Sequence, residues 1–171
     1  HIESMVVEDQ ATQTIVGHAA LVLDKPDDEI AEMGLVFVDP RYRGSHAAQT
    51  LGVELFRRGT ERGLKGLYAL VTAAHPYAQR AARRQGGFPC GVLLGCETAD
   101  VDYRKTGERI KQRSSEVLFY HLLHKPEEEA LCFPPPKHAE VVSKVFGWLG
   151  LPHRFEAPEV IDKALGESVL E

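Results

Sequence analysis

Apolar and polar positions alternate along the first third of the chain in the manner of antiparallel strands. Three such segments span residues 4–7, 14–23 and 31–38. Short polar stretches at 8–10 and 24–28, rich in Asp, separate them and are typical of turns. The pattern therefore predicts a meander of three strands that are joined by short turns.

The spacing of apolar residues then changes from that of a strand to that of a helix. Helical spacing continues to Gly63, where the first helix is expected to end. A buried strand is predicted at 67–72, and a second helix runs from Pro76 to the paired glycines 86 and 87. An apolar run at 90–94 predicts the next strand. Strands and helices that alternate in this way indicate crossover connections between parallel strands.

The chain becomes polar and charged between residues 97 and 115, which predicts a loop or a short exposed helix. Beyond it, 116–123 and 130–133 are predicted strands, and 137–149 is a predicted amphipathic helix ended by Gly150. We therefore divide the chain into a core (1–96), a linker (97–115), a small β-β-α extension (116–157) and a tail (158–171). The extension is too small to fold alone, so it is expected to pack on the core, to extend its sheet or to form a subunit contact such as a homodimer.

Composition narrows the classes of function. The 171 residues carry a formal net charge of −5, which argues against nucleic-acid binding because phosphate contacts need a basic face. No apolar run approaches the ~20 residues that span a bilayer, and no signal-peptide pattern begins the chain, so we expect a cytoplasmic protein without a membrane partner. The three cysteines show no metal-ligand spacing, and no metal is expected.

The junction between the third strand and the first helix carries the strongest functional signal. Val38-Asp39-Pro40 ends the strand, and an arginine-glycine turn leads into the helix. The first amides of a helix lack partners within it, and the helix dipole favours negative charge there. The sequence therefore predicts that a phosphate group binds at the residues of this turn, which are Arg43, Gly44, Ser45, His46, Ala47 and Ala48.

This segment resembles the pyrophosphate loop of the GNAT superfamily of acyl-CoA N-acyltransferases, which has the form Arg/Gln-x-x-Gly-x-Gly/Ala after a strand that ends in Val-x-Pro. Two registers fit, and they begin at Arg41 or at Arg43. We adopt the second, because it keeps the Tyr-Arg-Gly lead-in of the family and ends on Ala48. In this register His46 occupies the position of the first motif glycine.

The resemblance extends to Gly87-Phe88, which is similar to the Leu-Gly-Phe signature that precedes a strand in the family. It implies an α/β (α+β) fold: a GNAT-like mixed sheet with an antiparallel meander, V-shaped central strands and flanking helices. The strand and helices that usually precede the meander are missing from the pattern, and a C-terminal extension is added. The implied cosubstrate is acetyl-CoA, and the implied partner is an amine acceptor on a small molecule or a protein.

The same resemblance assigns roles in cofactor binding. The loop from Arg43 to Ala48 is expected to hold the pyrophosphate through its amides and its positive charge. Backbone N–H groups near Phe37 and Val38 are candidates to hold the pantetheine arm and to polarise the thioester carbonyl. The next helix adds positive charge that either reaches the nucleotide end of CoA or forms a solvated face (Arg80, Arg83 and Arg84).

Candidate catalytic residues follow from the chemistry of amine acylation, in which the amine must lose a proton. Glu32 stands where many members of the family place a general base, although it is also consistent with a solvated strand-end charge. The tyrosine that commonly protonates the leaving thiolate falls on Arg83, and the usual asparagine falls on Pro76. His75 and Tyr77 are the candidate substitutes, with helix capping or packing as the alternative role of the histidine.

Three functions remain open on the sequence alone. The leading one is an N-acyltransferase that uses direct attack of the amine without a covalent enzyme intermediate. The second is a catalytically degenerate acyl-CoA-binding module with a regulatory or assembly role, which His46 and the absent tyrosine favour. The third is a structural domain whose loop binds nothing.

Overall fold

The computed structural model describes residues 1–99, 101–103 and 108–156. The chain forms two compact units, His1–His124 and Lys125–Glu171, of which the second is described as far as Glu156. In the described parts, no helix has the length and apolar character that crossing a membrane requires.

The first unit contains eight described strands and two α-helices. The strands are β1 (Ile2–Asp9), β2 (Thr14–Val22), β3 (Ile30–Val38), β4 (Gly66–Thr72), β5 (Phe88–Leu93), β6 (Val101–Tyr103), β7 (Glu108–Ile110) and β8 (Glu116–Leu122). The helices are α1 (Ala47–Glu61) and α2 (Pro76–Arg84). Six of the strands form one mixed sheet in the order β1-β2-β3-β4-β8-β5, while β6 and β7 form a separate antiparallel ribbon. The predicted α+β architecture is confirmed.

The core lies between one face of this sheet and α1. Leu51 and Leu55 of α1 are one helical turn apart and pack with Leu21 and Ala31 of the sheet, all at most 2% exposed. Side chains on a strand alternate between the two faces, so the alternation in β2 and β3 turns one apolar set toward the helix. This burial fixes the meander and the first crossover as the sequence predicts.

The V shape arises where β3 and β4 stop pairing. These parallel strands are registered only from Ile30↔Gly66 to Glu32↔Tyr68, although both continue beyond that point. Gly66 stands at the closed end, where an added Cβ would lie 2.0 Å from the Tyr120 hydroxyl. A glycine is required there because the tyrosine approaches the backbone closely.

The division into units differs from the predicted one. β8, which we assigned to the extension, belongs to the main sheet, as one of the expected alternatives had it, and pairs with the whole of β4 on one side and with β5 on the other. The compact unit therefore reaches His124 instead of ending at residue 96. The predicted linker contains the ribbon of β6 and β7 rather than only a loop or a short helix.

The second unit, as far as it is described, combines a short parallel strand pair with one helix. β9 (Ala130–Cys132) pairs with β10 (His153–Phe155), and α3 (Ala139–Leu149) ends at Gly150, whose φ is +69°. Ser143 of α3 lies 3.1 Å from the Nε2 atom of His153, which joins the helix to β10. Strand β10 was not predicted, and the predicted tail at 158–171 lies outside the described residues.

Candidate functional site

The divergence of β3 and β4 opens a cavity of about 330 Å³. Residues 32–36 and 69–72 form its strand walls, and small side chains of α2 form a third wall. Ala48, in the first turn of α1, and His121, on β8, also line the cavity. We call this space the cleft.

A bulge in β3 shapes one wall of the cleft. Leu35 has a φ of +53°, which is unusual for a residue with a branched side chain, and the pairing register with β2 shifts beside it. The Nδ1 atom of His18 donates to the Leu35 carbonyl oxygen at 2.9 Å. In a trans peptide the N–H points opposite to the C=O, so the Val36 amide faces the cleft.

Phe37 and Val38, which we predicted as amide donors, direct their N–H groups to opposite edges of β3. The N–H of Asp39 donates to Val16 of β2 at 2.8 Å. Every second residue of an antiparallel strand faces the same neighbour, so the Phe37 amide also faces β2 and the Val38 amide points away from β2. The Phe37 ring instead stacks on His18, with centroids 5.4 Å apart. The amides of Val36 and Val38 therefore both point away from β2, and Val36 lines the cleft.

The two arginines of the loop differ in their partners. Arg41 is held by Asp39, with 2.7 Å between Nη2 and Oδ2, and this contact lowers the pKa of Asp39 to about 2. Within the described ranges, Arg43 forms no ion pair or side-chain hydrogen bond and is exposed. Arg43 is thus the loop cation available to an anionic ligand, as in the register that we adopted.

The loop adopts left-handed backbone conformations at Gly44 and at His46, and His46 stands at the first glycine position of the family motif in the register that we adopted. Gly44 has a φ of +88°, and His46 has a φ of +65° and a ψ of 4°. The Nδ1 atom of His46 lies 3.0 Å from Oε1 of Gln49, which holds the ring beside the first turn of α1. The histidine therefore takes the backbone shape of a glycine.

The start of α1 supplies amides without helical partners. The first backbone bond of this helix runs from the Thr50 N–H to the His46 carbonyl oxygen at 2.9 Å. The N–H groups of residues 47–49 precede it and lack partners within the helix. Together with Arg43, they form the kind of site that binds a pyrophosphate.

A second cavity of about 410 Å³ lies between α1 and α2. It shares Ala48, Ala81 and Gln85 with the cleft, so the two spaces adjoin. Of the three arginines on α2, only Arg84 lines this second cavity. A ligand on the loop can therefore extend one end into the cleft and the other along the two helices.

Glu32 lies at the closed end of the cleft, beside Tyr68 in the strand register. Burial and then the negative charge of Asp24 raise the pKa of Glu32 above its ordinary value. Burial and then the charge of Glu32 also raise the pKa of Tyr68. A carboxylate with a raised pKa is a stronger base for an amine proton.

His75 and Tyr77 do not join Glu32 at the cleft. His75 occupies the N-cap of α2, its ring lies 5.5 Å from that of Tyr77, and neither residue lines the cleft. Arg83, at the position of the family tyrosine, is exposed and does not line it either. The residues predicted to replace the general acid are therefore not brought to the site.

His121 lines the cleft and was not a candidate in the sequence. Only 4% of the residue is exposed, and burial lowers the pKa of its imidazole. It lies two residues beyond Phe119, which is 1% exposed on the same face of β8. This alternation is the signal that would have identified it, if the position of β8 in the sheet had been known.

Residues 2–88 match the family described as the Acetyltransferase (GNAT) family. The chain belongs to this family. Among solved structures it is similar to the ribosomal-protein-alanine N-acetyltransferase from Brucella melitensis, with 22% identity, a TM-score of 0.57 and coverage of 71% of this chain and 68% of that one. It is also similar to an N-acetyltransferase from Staphylococcus aureus Mu50, with 17% identity, a TM-score of 0.59 and coverage of 72% of this chain and 69% of that one. No curated protein sequence matches the chain.

Another similar structure is the spermidine/spermine N-acetyltransferase from Vibrio cholerae, with 20% identity, a TM-score of 0.59 and coverage of 71% of this chain and 65% of that one. At these identities the structural likeness shows a shared fold. The GNAT assignment made from the loop and the Gly-Phe signature is thereby confirmed.

Proposed function

We propose that this GNAT domain transfers the acetyl group of acetyl-CoA to an amine by direct attack. One observation carries the proposal: the loop before α1 adjoins, at Ala48, a cleft whose closed end holds Glu32. The six residue steps of β3 between Val38 and Glu32 span about 20 Å. That length suits an extended pantetheine arm running from the loop to the carboxylate.

The residues of the loop would hold the phosphate groups. Arg43 and the amides of residues 47–49 would bind the pyrophosphate, and Arg84, which lines the second cavity, would meet the nucleotide end. The amides of Val36 and Val38 would pair with the amides of the pantetheine arm, as a strand pairs with its neighbour. All of these contacts tolerate His46, because the loop acts mainly through its backbone.

At the other end of the cleft, acetyl-CoA supplies an activated thioester, and Glu32 removes a proton from the attacking amine directly or through a water. A cleft-facing amide donor stabilises the negative charge that develops on the carbonyl oxygen. Since a thiolate is a good leaving group, the reaction can proceed without a dedicated acid. The proposed reaction therefore does not require His75 or Tyr77, neither of which lines the cleft.

The acceptor in this proposal is an amine on a small molecule or a protein. The negative charges of Glu32 and Asp24 near the closed end favour an acceptor that approaches as a cation. The second candidate remains an acyl-CoA-binding module without turnover. The exposed Arg83 at the position of the family tyrosine favours it.

Calorimetric titration with acetyl-CoA tests the binding half of the proposal. Ala48→Glu places a carboxylate in the wall that both cavities share, so we expect at least a 100-fold loss of affinity from charge repulsion and steric overlap. Thr50→Glu is the matched control, because it adds the same charge to the same helical turn outside both cavities. Equal affinity of the wild type and Ala48→Glu would refute the assignment.

The catalytic half needs a measurement of turnover. Thiol release from acetyl-CoA in the presence of a panel of amines is expected to identify at least one acceptor. Binding of acetyl-CoA without release of thiol across monoamines, polyamines and peptide N-termini would instead favour the module without turnover.

A further inference from the structure

A histidine outside the cleft is bonded to the backbone of the bulge that forms one cleft wall. His18 is half-buried on β2 and does not line the cleft. Its strand neighbours Ala19 and Leu21 belong to the core that packs against α1, so the alternation of side chains places the imidazole on the opposite face of the sheet. Any effect of His18 on a ligand in the cleft therefore passes through the backbone of β3.

The bulge leaves a carbonyl oxygen that the strand pairing does not satisfy. In the described register between β2 and β3, Leu35 and Val36 have no partner on β2. The pairing of β3 with β4 ends before the bulge is reached. A bulged residue is left out of the ladder, and its backbone groups need other partners. The Nδ1 atom of His18, at 2.9 Å from the Leu35 carbonyl oxygen, supplies that partner.

Two contacts fix the imidazole ring and its tautomer. The ring stacks on Phe37, with an angle of 14° between the two planes. A carbonyl oxygen accepts hydrogen bonds and cannot donate them, so Nδ1 carries the proton in the contact with Leu35. Hydrogen bonds in a chain polarise one another, so a peptide whose C=O accepts a bond has a stronger N–H donor. His18 therefore both orients the Val36 N–H and strengthens it.

We propose that His18 is a positioning residue that directs the Val36 N–H to a carbonyl oxygen of the pantetheine arm. The inference rests on the proposed binding of acetyl-CoA, in which Val36 pairs with the arm, and it assigns the control of that contact to a side chain outside the cleft. CoA and acetyl-CoA share the same arm. The contribution of His18 is therefore the same for both, and it is absent for a nucleotide that lacks the arm.

Three ligands isolate the contribution of the arm: CoA, acetyl-CoA and adenosine 3′,5′-bisphosphate, which has no arm. In His18→Leu, which cannot donate, the affinities for CoA and acetyl-CoA should both fall by about 5- to 10-fold in calorimetric titrations, as expected for one hydrogen bond. The affinity for the bisphosphate should remain within about 2-fold of the wild type. A loss for the bisphosphate as large as that for CoA would overturn the inference, because His18 would then act on the loop and not on the arm.

A matched pair of amide variants separates the hydrogen bond from packing. The side-chain nitrogen of asparagine is bonded to Cγ, as Nδ1 of histidine is, so His18→Asn should restore most of the CoA affinity. In glutamine the nitrogen lies one bond farther from the backbone, so His18→Gln keeps the same chemical group but should bind CoA as weakly as His18→Leu. Equal CoA affinities in the two amide variants would overturn the inference.

The tautomer of His18 can be measured without any ligand. NMR of the ring nitrogens, at a pH where the imidazole is neutral, should show the proton on Nδ1 in the ligand-free wild type. A proton on Nε2 would overturn the inference, because the imidazole could not then donate to Leu35. Failure of the wild type to bind CoA is a different result, since it would remove the proposed function, and the contact with the arm along with it, even if the proton is on Nδ1.

Discussion

The two ends of the cleft are built in different ways. The outer end is an exposed loop that presents backbone amides and Arg43, while other side chains pair locally, as Asp39 does with Arg41 and His46 with Gln49. The inner end is more enclosed and is lined by side chains, chiefly the half-buried Glu32 and the buried His121. A side chain can therefore change at the outer end if the backbone conformation is kept, whereas the inner end depends on the identity of each residue.

This contrast predicts the largest effect for the inner carboxylate. Glu32→Gln keeps the shape of the side chain but cannot accept a proton, so turnover should fall by ~100- to 10,000-fold while acetyl-CoA affinity stays unchanged. Steady-state kinetics and calorimetry measure the two quantities. Glu29→Gln is the control, because Glu29 is exposed and pairs with Lys65 outside the cleft. Unchanged turnover in Glu32→Gln would exclude this residue as the base.

At the outer end, the backbone should matter more than the side chain. Gly44→Ala adds a Cβ that meets no atom within 4 Å, so its effect comes from the positive φ alone. The left-handed conformation costs about 1 kcal/mol for alanine, and we expect roughly a 5-fold weaker affinity for CoA as the loop shifts to relieve it. Gly147→Ala, also in open space but inside α3, is the control. Calorimetric affinities that match the wild type would contradict a backbone-built cradle.

The protonation of the inner end can be shifted without touching Glu32. The charge of Asp24 raises the pKa of Glu32, second only to burial, so Asp24→Asn should lower that pKa. Glu32 acts as a base only when ionised, so the acidic limb of the kcat/KM profile should move to lower pH in the variant. Asp27→Asn, nearby in the same turn, is the control. An acidic limb that stays in place would show that another group controls it.

The smallest effect is expected for the residue that departs most from the family motif. His46 already has a φ of +65°, so His46→Gly leaves the backbone conformation as it is and removes only the bond to Gln49. CoA affinity should stay within about 3-fold of the wild type in calorimetric titrations. A gain of tenfold or more would indicate that the imidazole obstructs the cradle, and would favour the module without turnover.

Local patterns in the sequence were sufficient for the meander, the loop and the helix that ends at Gly150, because these depend on neighbouring residues. The position of β8 depends on pairing with β4, whose residues lie far away in the chain, and no local pattern contains it. His121 was overlooked for the same reason. The cleft-facing amide of Val36 could not be predicted either, since its orientation depends on a contact between His18 and the bulge at Leu35.

The bulge at Leu35 also separates stability from function. A leucine with a φ of +53° is strained, so glycine at this position would relieve the strain and tend to stabilise the fold. The same change would let the peptide that carries the Val36 amide rotate more freely. Selection for heat resistance alone would therefore favour a variant in which this wall of the cleft is less well ordered. A chain that keeps leucine here instead keeps the Val36 amide in a fixed orientation before any ligand binds.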